Sequence, residues 1–110
     1  MQFETRLIED VLIVKTPASR IDAASAIQFK EQMRNVMQDA PGRVVLDMEN
    51  VGFVDSSGLG ALVAVFKLTA RERSFELAAL QPTVQKLFEL TRMNSVFQLH
   101  KTAADALAQS

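Results

Sequence analysis

Segments with the hydrophobic repeat of a strand alternate along this chain with segments that have the repeat of a helix, and this order strongly restricts the possible folds. Apolar-rich runs, typical of strands inside a sheet, occur at Val11–Val14 and Arg43–Met48. Between them, apolar residues spaced by three and four predict one face of a helix, formed by Ala26, Phe29, Met33, Val36 and Ala40. Because strand–helix–strand units join parallel strands, the sequence predicts a mainly parallel sheet with helices packed on it.

The N-terminal segment predicts an antiparallel hairpin. Phe3, Thr5 and Leu7 alternate with charged or amide residues. This two-residue repeat is typical of a half-buried strand. Glu9-Asp10 then forms a tight polar turn before the next strand, and Pro17 ends the hairpin. The sheet is therefore predicted to be mixed, with one antiparallel pair followed by parallel strands.

The rest of the chain predicts further helices and strands. Asp22 is predicted to cap the first helix, which runs to about Asp39 before Pro41-Gly42 breaks it. The later elements are predicted as a helix over about Ser57–Arg71, a strand over Ser74–Ala79, a helix opened by Pro82, an edge strand over Ser95–Leu99, and a last helix capped by Thr102 and running through Ala108. Together they make a single α/β domain over residues 1–110, with about four helices.

Composition excludes several functional classes. The chain has 110 residues, a net charge of −1 and no cysteine, which excludes disulfides, thiol chemistry and cysteine-based metal sites. Its basic residues are scattered rather than clustered, so no nucleic-acid partner is expected. His100 is the only histidine, which disfavours a zinc site, and we expect it to lie on the surface outside any catalytic triad. No cofactor is expected.

No segment of the sequence predicts secretion or direct insertion into a membrane. The N-terminus, beginning Met1-Gln2, lacks the basic and apolar regions of a signal peptide. No apolar stretch approaches the length of a membrane span. A cytoplasmic location is therefore expected.

The run Asp55-Ser56-Ser57-Gly58-Leu59-Gly60 lies between an apolar strand and the second predicted helix. It places two hydroxyl groups at a helix N-terminus, where backbone N–H groups are unpaired and the helix dipole is positive. A phosphate attached there would change the local charge by about −1.5 to −2 at neutral pH. The run is therefore predicted to act as a switch, in which Asp55 caps the helix, orients the serine, or does both.

The outer face of the helix after this run is predicted to be small and apolar. Helical spacing assigns its inner face, packed on the sheet, to Leu59, Leu62, Val63, Phe66 and Ala70. The opposite face would then contain Gly60, Ala61, Ala64, Val65, Lys67, Leu68 and Arg71. Because its first two turns carry no charge, this face either docks a partner together with Ser56 or is covered by another element of the domain.

Two stretches of the chain, Val45–Met48 and Val51–Gly60, closely resemble the signature of STAS domains. Within that family the chain looks most similar to the stand-alone bacterial anti-sigma factor antagonists. The resemblance covers essentially the whole sequence, including the loop Arg20–Ala23, the strand at Phe75–Leu77 and the closing helix at Ala103–Leu107. It implies the STAS fold, a mixed sheet with an N-terminal hairpin packed against about four helices.

Two positions depart from the family pattern. Ser19 stands where the family often has a glycine before the aspartate loop, and this could alter the partner surface. Arg92-Met93 replaces a common Gly-Leu after the third helix, which removes a helix-ending glycine that tolerates a positive φ.

The resemblance implies partner switching. An unmodified antagonist binds a histidine-kinase-like serine kinase that is also an anti-sigma factor, and the sigma factor is released. The kinase uses ATP to phosphorylate the antagonist, which weakens binding, and a PP2C-type phosphatase restores it. The motif aligns the phosphorylated residue with Ser56, and Ser57 is the alternative. With the outer helix face added, the predicted partner surface contains Asp22, Asp55, Ser56, Ser57, Gly58, Gly60, Ala61 and Ala64.

Alternatives remain open at this stage. Gly58 and Gly60 are expected to let the partner approach the backbone closely, unless they serve only to start the helix. An enzyme would use Ser56 as a nucleophile, but the chain lacks a Gly-x-Ser-x-Gly elbow and a nearby base, so no catalytic residue is predicted. The same switch could control secretion or motility instead of a sigma factor. A STAS subunit of an ABC-type transporter is a further alternative, although such subunits often lack the serine.

Overall fold

The computed structural model describes residues 2–69 and 73–109. Within these ranges the strands are β1 (Glu4–Ile8), β2 (Val11–Lys15), β3 (Arg20–Ile21), β4 (Arg43–Asp47), β5 (Phe53–Val54), β6 (Ser74–Ala78) and β7 (Leu99–His100). The helices are α1 (Ala26–Met37), α2 (Ser56–Leu68), α3 (Pro82–Leu90) and α4 (Ala103–Ala108), and a short 3-10 helix spans Met93–Ser95.

Strands β1, β2, β4, β6 and β7 form one mixed sheet in that spatial order. β1 pairs antiparallel with β2, and the other neighbouring strands pair in parallel. The turn between the first two strands places Glu9 at a φ of 54°, in the left-handed region that tight hairpins use. The predicted hairpin and the predicted mixed sheet are therefore confirmed.

The helices cover both sides of this sheet unequally. Because alternate residues of a strand point to opposite faces, the central strands β2, β4 and β6 each contribute to two apolar clusters. The larger cluster lies under α1, α2 and α3 and includes Phe29, Met33, Leu62, Val84 and Phe88. The smaller cluster lies under α4, where Ala106 packs with Val11, Ile13, Val45 and Ala78.

A second sheet, of two strands, is not predicted by the sequence. β3 and β5 pair in parallel, with Arg20 opposite Phe53 and Ile21 opposite Val54. Strands of two residues carry no hydrophobic repeat that would distinguish them from a loop. Their pairing joins the chain before α1 to the chain before α2, and it positions the candidate site.

The prediction that the first strand is half-buried is wrong. Thr5 is exposed, and the side chain of Leu7 is 65% exposed. The reason is the position of β1 at the edge of the sheet, beyond most of the helix layer. Phe3, just before the strand, does pack inward, with its ring centroid 5.9 Å from that of Phe29.

The edge strand predicted over residues 95–99 is present, but it is shorter and lies later in the chain, at Leu99–His100. The chain forms a 3-10 helix at Met93–Ser95 and pairs with β6 only from Leu99. Between these elements Phe97 turns into the core, where it is 3% exposed and its ring contacts those of Phe66, Phe75 and Phe88. The burial of this one aromatic ring replaces an extended edge by a bend.

The first helix is shorter than predicted at both ends. α1 begins after Ser25 and ends at Met37, so the prediction that Asp22 caps it is wrong. Asp22 instead closes a turn, because its carboxylate accepts a hydrogen bond from the N–H of Ala24 at 3.2 Å and its carbonyl accepts one from the N–H of Ser25 at 3.0 Å. Aspartate side chains commonly close turns in this way.

The inner face of α2 is rotated from its predicted position. Ala61 and Val65 are buried although they were assigned to the outer face, whereas Phe66 was assigned inward and is 38% exposed. The buried stripe consists of Gly58, Ala61, Leu62 and Val65. Because α2 is apolar on almost every side, its hydrophobic repeat does not define which face is inside. Ala70 and Arg71, which ended this predicted helix, lie outside the described residues.

Arg92 carries strain that a glycine would relieve. It follows α3 with a φ of 60°, in the left-handed region where a β-carbon costs about 1 to 2 kcal/mol. Replacing Arg92 by glycine is therefore expected to raise the free energy of unfolding by about 1 kcal/mol, since part of the gain is offset by a more flexible unfolded chain. Denaturant titration measures the change. Arg92→Ala keeps the β-carbon and should show no such gain, and a lower midpoint for Arg92→Gly would contradict the expectation.

Candidate functional site

The β3–β5 pair brings two loops together at the N-terminus of α2. The N–H of Gly52 donates to the carbonyl of Ser19 at 2.9 Å, and the N–H of Asp55 donates to the carbonyl of Ile21 at 3.4 Å. The turn that follows β3 consequently lies beside the start of α2. Two segments that are distant in sequence, one around Asp22 and one around Ser56, thereby share one surface.

The carboxylate of Asp55 links these two segments directly. Its Oδ1 accepts a hydrogen bond from the N–H of Gly58 at 2.8 Å and so caps α2. Its Oδ2 accepts one from the N–H of Ala23 at 3.1 Å. The helix cap confirms the prediction, whereas the contact with Ala23 depends on the unpredicted β3–β5 pair. One side chain therefore starts α2 and holds the neighbouring turn against it.

Ser56 and Ser57 are the first two residues of α2, and both are exposed. Within the described part of the chain, neither hydroxyl hydrogen-bonds to another group. The positive end of the helix dipole lies at these residues and favours negative charge. Each hydroxyl is therefore free for a contact with a partner or for a modifying enzyme.

Arg20 shapes the charge beside the two serines. Its Nε lies 3.1 Å from Oδ2 of Asp22, and this hydrogen bond lowers the pKa of Asp22. The Arg20 guanidinium also stacks over the ring of Phe53 at 4.3 Å from its centroid. Phe53 is itself 41% exposed, so an aromatic ring joins the polar groups of this surface. Neither the stacking nor the ion pair is predicted by the sequence, although Phe53 lies close to the serines in the chain.

The predicted partner-binding residues divide by exposure. Gly60 is exposed on α2, with no atom within 4 Å of the position that a β-carbon would occupy. Ala64 is half-buried and lines a groove between α1 and α2 together with Ile27 and Leu68. Ala61 is only 3% exposed, because it belongs to the buried stripe of α2.

Gly58 is predicted to contact a partner, but in the structure it packs inside the domain. It is buried, and a β-carbon at this position would lie 1.8 Å from the carbonyl oxygen of Ile21. The glycine does permit a close approach, but the chain that approaches is β3. This contact allows Asp55 to reach both of its N–H donors.

Removing the Asp55 carboxylate is expected to loosen this site. Asp55→Ala leaves the N–H groups of Gly58 and Ala23 without their acceptor, so we expect the free energy of unfolding to fall by about 2 kcal/mol. Asp55→Asn is the matched control, because its single carbonyl oxygen can satisfy one of the two donors and should retain about half of that energy. Thermal unfolding of the three proteins tests this order, and equal stability of all three would contradict it.

A second polar cluster, on the α4 side of the sheet, corrects the prediction for His100. His100 is buried rather than on the surface, and its Nε2 lies 2.8 Å from Oε1 of Glu76. Glu76 also accepts hydrogen bonds from Arg43 and Ser74, and Arg43 donates further to the carbonyls of Ala106 and Gln109. The cluster anchors the end of α4 to the sheet. A charged residue inside an otherwise apolar strand is the only signal in the sequence that points to it.

Comparison with known proteins is consistent with this architecture. The STAS domain profile matches residues 2–106. The chain belongs to the STAS domain family. Over 84 residues it is 34% identical to the anti-sigma-B factor antagonist of Listeria monocytogenes, which covers 74% of this chain and 73% of the relative. A crystal structure of an anti-sigma factor antagonist from Mycobacterium paratuberculosis superposes with a TM-score of 0.86 at 27% identity, over 97% of this chain and 91% of that one.

A similar fold is also found within a larger protein of another kind. The murine Solute Carrier 26 family member A9 anion transporter matches 94% of this chain with a TM-score of 0.81, but the match spans 18% of that protein at 18% identity. Such a likeness shows the shared fold alone. Among the described residues of this chain, no helix is long and apolar enough to cross a membrane.

Proposed function

We propose that this chain is an anti-sigma factor antagonist that acts by partner switching in the cytoplasm. In its unmodified form it binds a serine kinase that is also an anti-sigma factor, and the sigma factor is released. The kinase then phosphorylates Ser56, which ends binding, and a PP2C-type phosphatase restores the unmodified form. The chain itself carries out no catalysis in this scheme.

The observation that carries the proposal is the geometry at the start of α2. Two exposed hydroxyls, on Ser56 and Ser57, lie at a helix N-terminus that Asp55 fastens to the turn containing Asp22. The antagonist names of its relatives support the same role. The proposed contact surface contains the exposed Ser56, Ser57 and Gly60 and the half-buried Asp22, Asp55 and Ala64. Gly58 and Ala61 support it from within the domain.

Phosphorylation at this point would oppose binding without unfolding the domain. The helix dipole of α2 tolerates a phosphate on an exposed Ser56. At an interface the same phosphate must lose its water and lie near the carboxylates of Asp22 and Asp55, while the nearby Arg20 is already engaged by Asp22. A loss of about 3 kcal/mol in binding energy would weaken the complex more than a hundredfold.

The test uses the protein with a histidine-kinase-like serine kinase identified by pull-down from its native cells. With ATP, the wild-type protein is expected to gain one phosphate by intact mass, and Ser56→Ala is expected to gain none. Ser57→Ala is the matched control and should be modified like wild type. Titration calorimetry should show that Ser56→Ala binds the kinase as tightly as the unmodified protein, whereas the phosphorylated protein binds more than a hundredfold more weakly.

Each other outcome has a definite meaning. Phosphate that persists in Ser56→Ala and disappears in Ser57→Ala would move the site by one residue. A phosphorylated protein that binds as tightly as the unmodified form would overturn the switch. Kinase binding that displaces no sigma factor would favour a different output, such as secretion or motility.

A further inference from the structure

The outer side of β1 is an unpaired sheet edge with an unusual arrangement of charge. β1 ends the five-stranded order, and β2 is its only neighbour among the described strands. Its side chains from Glu4 to Leu7 are all exposed. Such an edge presents a row of N–H and C=O groups to which another strand can add.

The two faces of β1 differ in chemistry. Arg6 lies opposite Ile13, which belongs to the apolar cluster under α4, so Glu4 and Arg6 both point to the α4 side. Leu7 lies opposite Leu12, which packs against the larger cluster, so Leu7 points to the α1 side and remains 65% exposed there. Within the described ranges, neither Glu4 nor Arg6 forms an ion pair.

We propose that β1 binds β1 of a second copy of this chain, in antiparallel register about a two-fold axis at Thr5. Each Glu4 then lies opposite Arg6 of the second copy on the α4 side. On the α1 side, each Leu7 lies opposite Phe3 of the second copy, whose ring already packs edge-on against Phe29. A two-fold contact of this kind joins the two sheets into one continuous sheet and pairs the open β1 edge of each copy.

Charge selects this register over its neighbours. Residues that face each other across two antiparallel strands lie on the same face of the sheet, so the two-fold axis must pass through a residue of β1. The neighbouring registers therefore have their axis one residue away, at Glu4 or at Arg6. A move to Glu4 would place two glutamates opposite each other, and a move to Arg6 would place two arginines opposite each other. Like charges directly across a pair of strands are unfavourable, so among these three positions only the axis at Thr5 pairs opposite charges. Charges on an edge strand usually prevent pairing, but here their order is self-complementary.

Sedimentation equilibrium over a wide range of protein concentration tests the proposal. The wild-type chain is expected to approach twice the mass of one chain, and added salt should weaken this association because both pairs are exposed. Glu4→Lys and Arg6→Glu are each expected to weaken dimerisation at least tenfold, because each places like charges opposite each other. An equimolar mixture of the two variants should form a mixed dimer, since lysine at position 4 then faces glutamate at position 6. The double variant Glu4→Lys/Arg6→Glu should dimerise like wild type.

The control is Glu89→Lys, which makes the same charge change at an exposed position on α3. It should dimerise like wild type, and thermal unfolding should show that all variants remain folded, because every altered side chain is exposed. A wild-type chain that stays monomeric at every concentration would overturn the proposal. So would single variants that associate as strongly as wild type, because the dimer would then use another surface. None of these outcomes depends on the proposed switch at Ser56.

Discussion

Glu76→Gln is expected to lower the free energy of unfolding at neutral pH by about 3 kcal/mol. The Glu76 side chain is 4% exposed and receives two hydrogen bonds from Arg43, at 2.9 and 2.7 Å. It also accepts one from Ser74 at 2.5 Å and lies 2.8 Å from Nε2 of His100. Glutamine keeps the size of the side chain but removes the charge that balances Arg43 and turns an NH₂ group toward these donors. Denaturant titration at neutral pH measures the loss.

The end of α4 should be affected first by this change. Arg43 donates to the carbonyls of Ala106 at 3.0 Å and of Gln109 at 2.5 Å, so Glu76 orients the guanidinium that holds this helix. Faster hydrogen exchange in α4 than in α1 would show that the helix has loosened. Unchanged exchange in α4 would mean that the cluster does not anchor it.

The pH dependence of stability offers an independent measure of the same cluster. Burial on its own raises the pKa of Glu76, but hydrogen bonds from Arg43, Ser74 and His100 outweigh it and hold the pKa at about 2, below the ordinary value of 4.5. A folded-state pKa below that of the unfolded chain contributes stability above pH 4.5. That contribution, about 3 kcal/mol, is lost as the pH falls from 4.5 to 2. Glu76→Gln has no carboxyl group at this position and should not lose this stability in acid. The difference in the free energy of unfolding between Glu76→Gln and wild type should therefore shrink toward pH 2.

Glu49→Gln provides the matched control for the charge change. Glu49 pairs with Lys15 at 2.9 Å, but its side chain is 63% exposed, and exposed ion pairs contribute little to stability. The Glu49→Gln variant is expected to match wild type both in its free energy of unfolding at neutral pH and in the way that free energy falls in acid. If Glu76→Gln also matched wild type, the buried cluster would not stabilise the fold.

The order of strands and helices could be predicted from the sequence because it depends on local repeats. The hairpin, the cap of α2 by Asp55, the opening of α3 by proline and the cap of α4 by Thr102 all involve residues close together in the chain. The same local information places two serines at a helix N-terminus. Even the missing glycine after α3 has a visible consequence, because Arg92 takes the positive φ that glycine would tolerate.

The features that the sequence did not predict depend on contacts between distant residues. Arg43 and Glu76 are 33 residues apart, and Glu76 and His100 are 24 apart, so no local pattern joins them. The face of α2 was misassigned because apolar residues surround that helix and only packing against α1 and the sheet selects the buried stripe. The link between Asp55 and Ala23 depends on strands of two residues, which are too short to carry a repeat.

Gly58→Ala is the other change with a large expected effect, a loss of about 3 kcal/mol in the free energy of unfolding. The new β-carbon would lie 1.8 Å from the carbonyl oxygen and 2.6 Å from the carbonyl carbon of Ile21, which are backbone atoms without rotamer freedom. Either α2 or β3 must therefore move. Such a movement would also stretch the hydrogen bonds that Asp55 makes on both sides of the contact. Thermal and denaturant unfolding measure the loss.

Gly60→Ala makes the same chemical change two residues further along α2, where no atom lies within 4 Å of the new β-carbon. Because alanine favours a helix interior more than glycine does, this variant is expected to gain about 0.5 to 1 kcal/mol. If the free energy of unfolding falls for Gly58→Ala and rises for Gly60→Ala, Gly58 is needed for packing within the site. Gly60 is then not needed for packing and can belong to the contact surface. A Gly58→Ala protein as stable as Gly60→Ala would show that β3 can yield at this contact, and the close approach would then not be what positions Asp55.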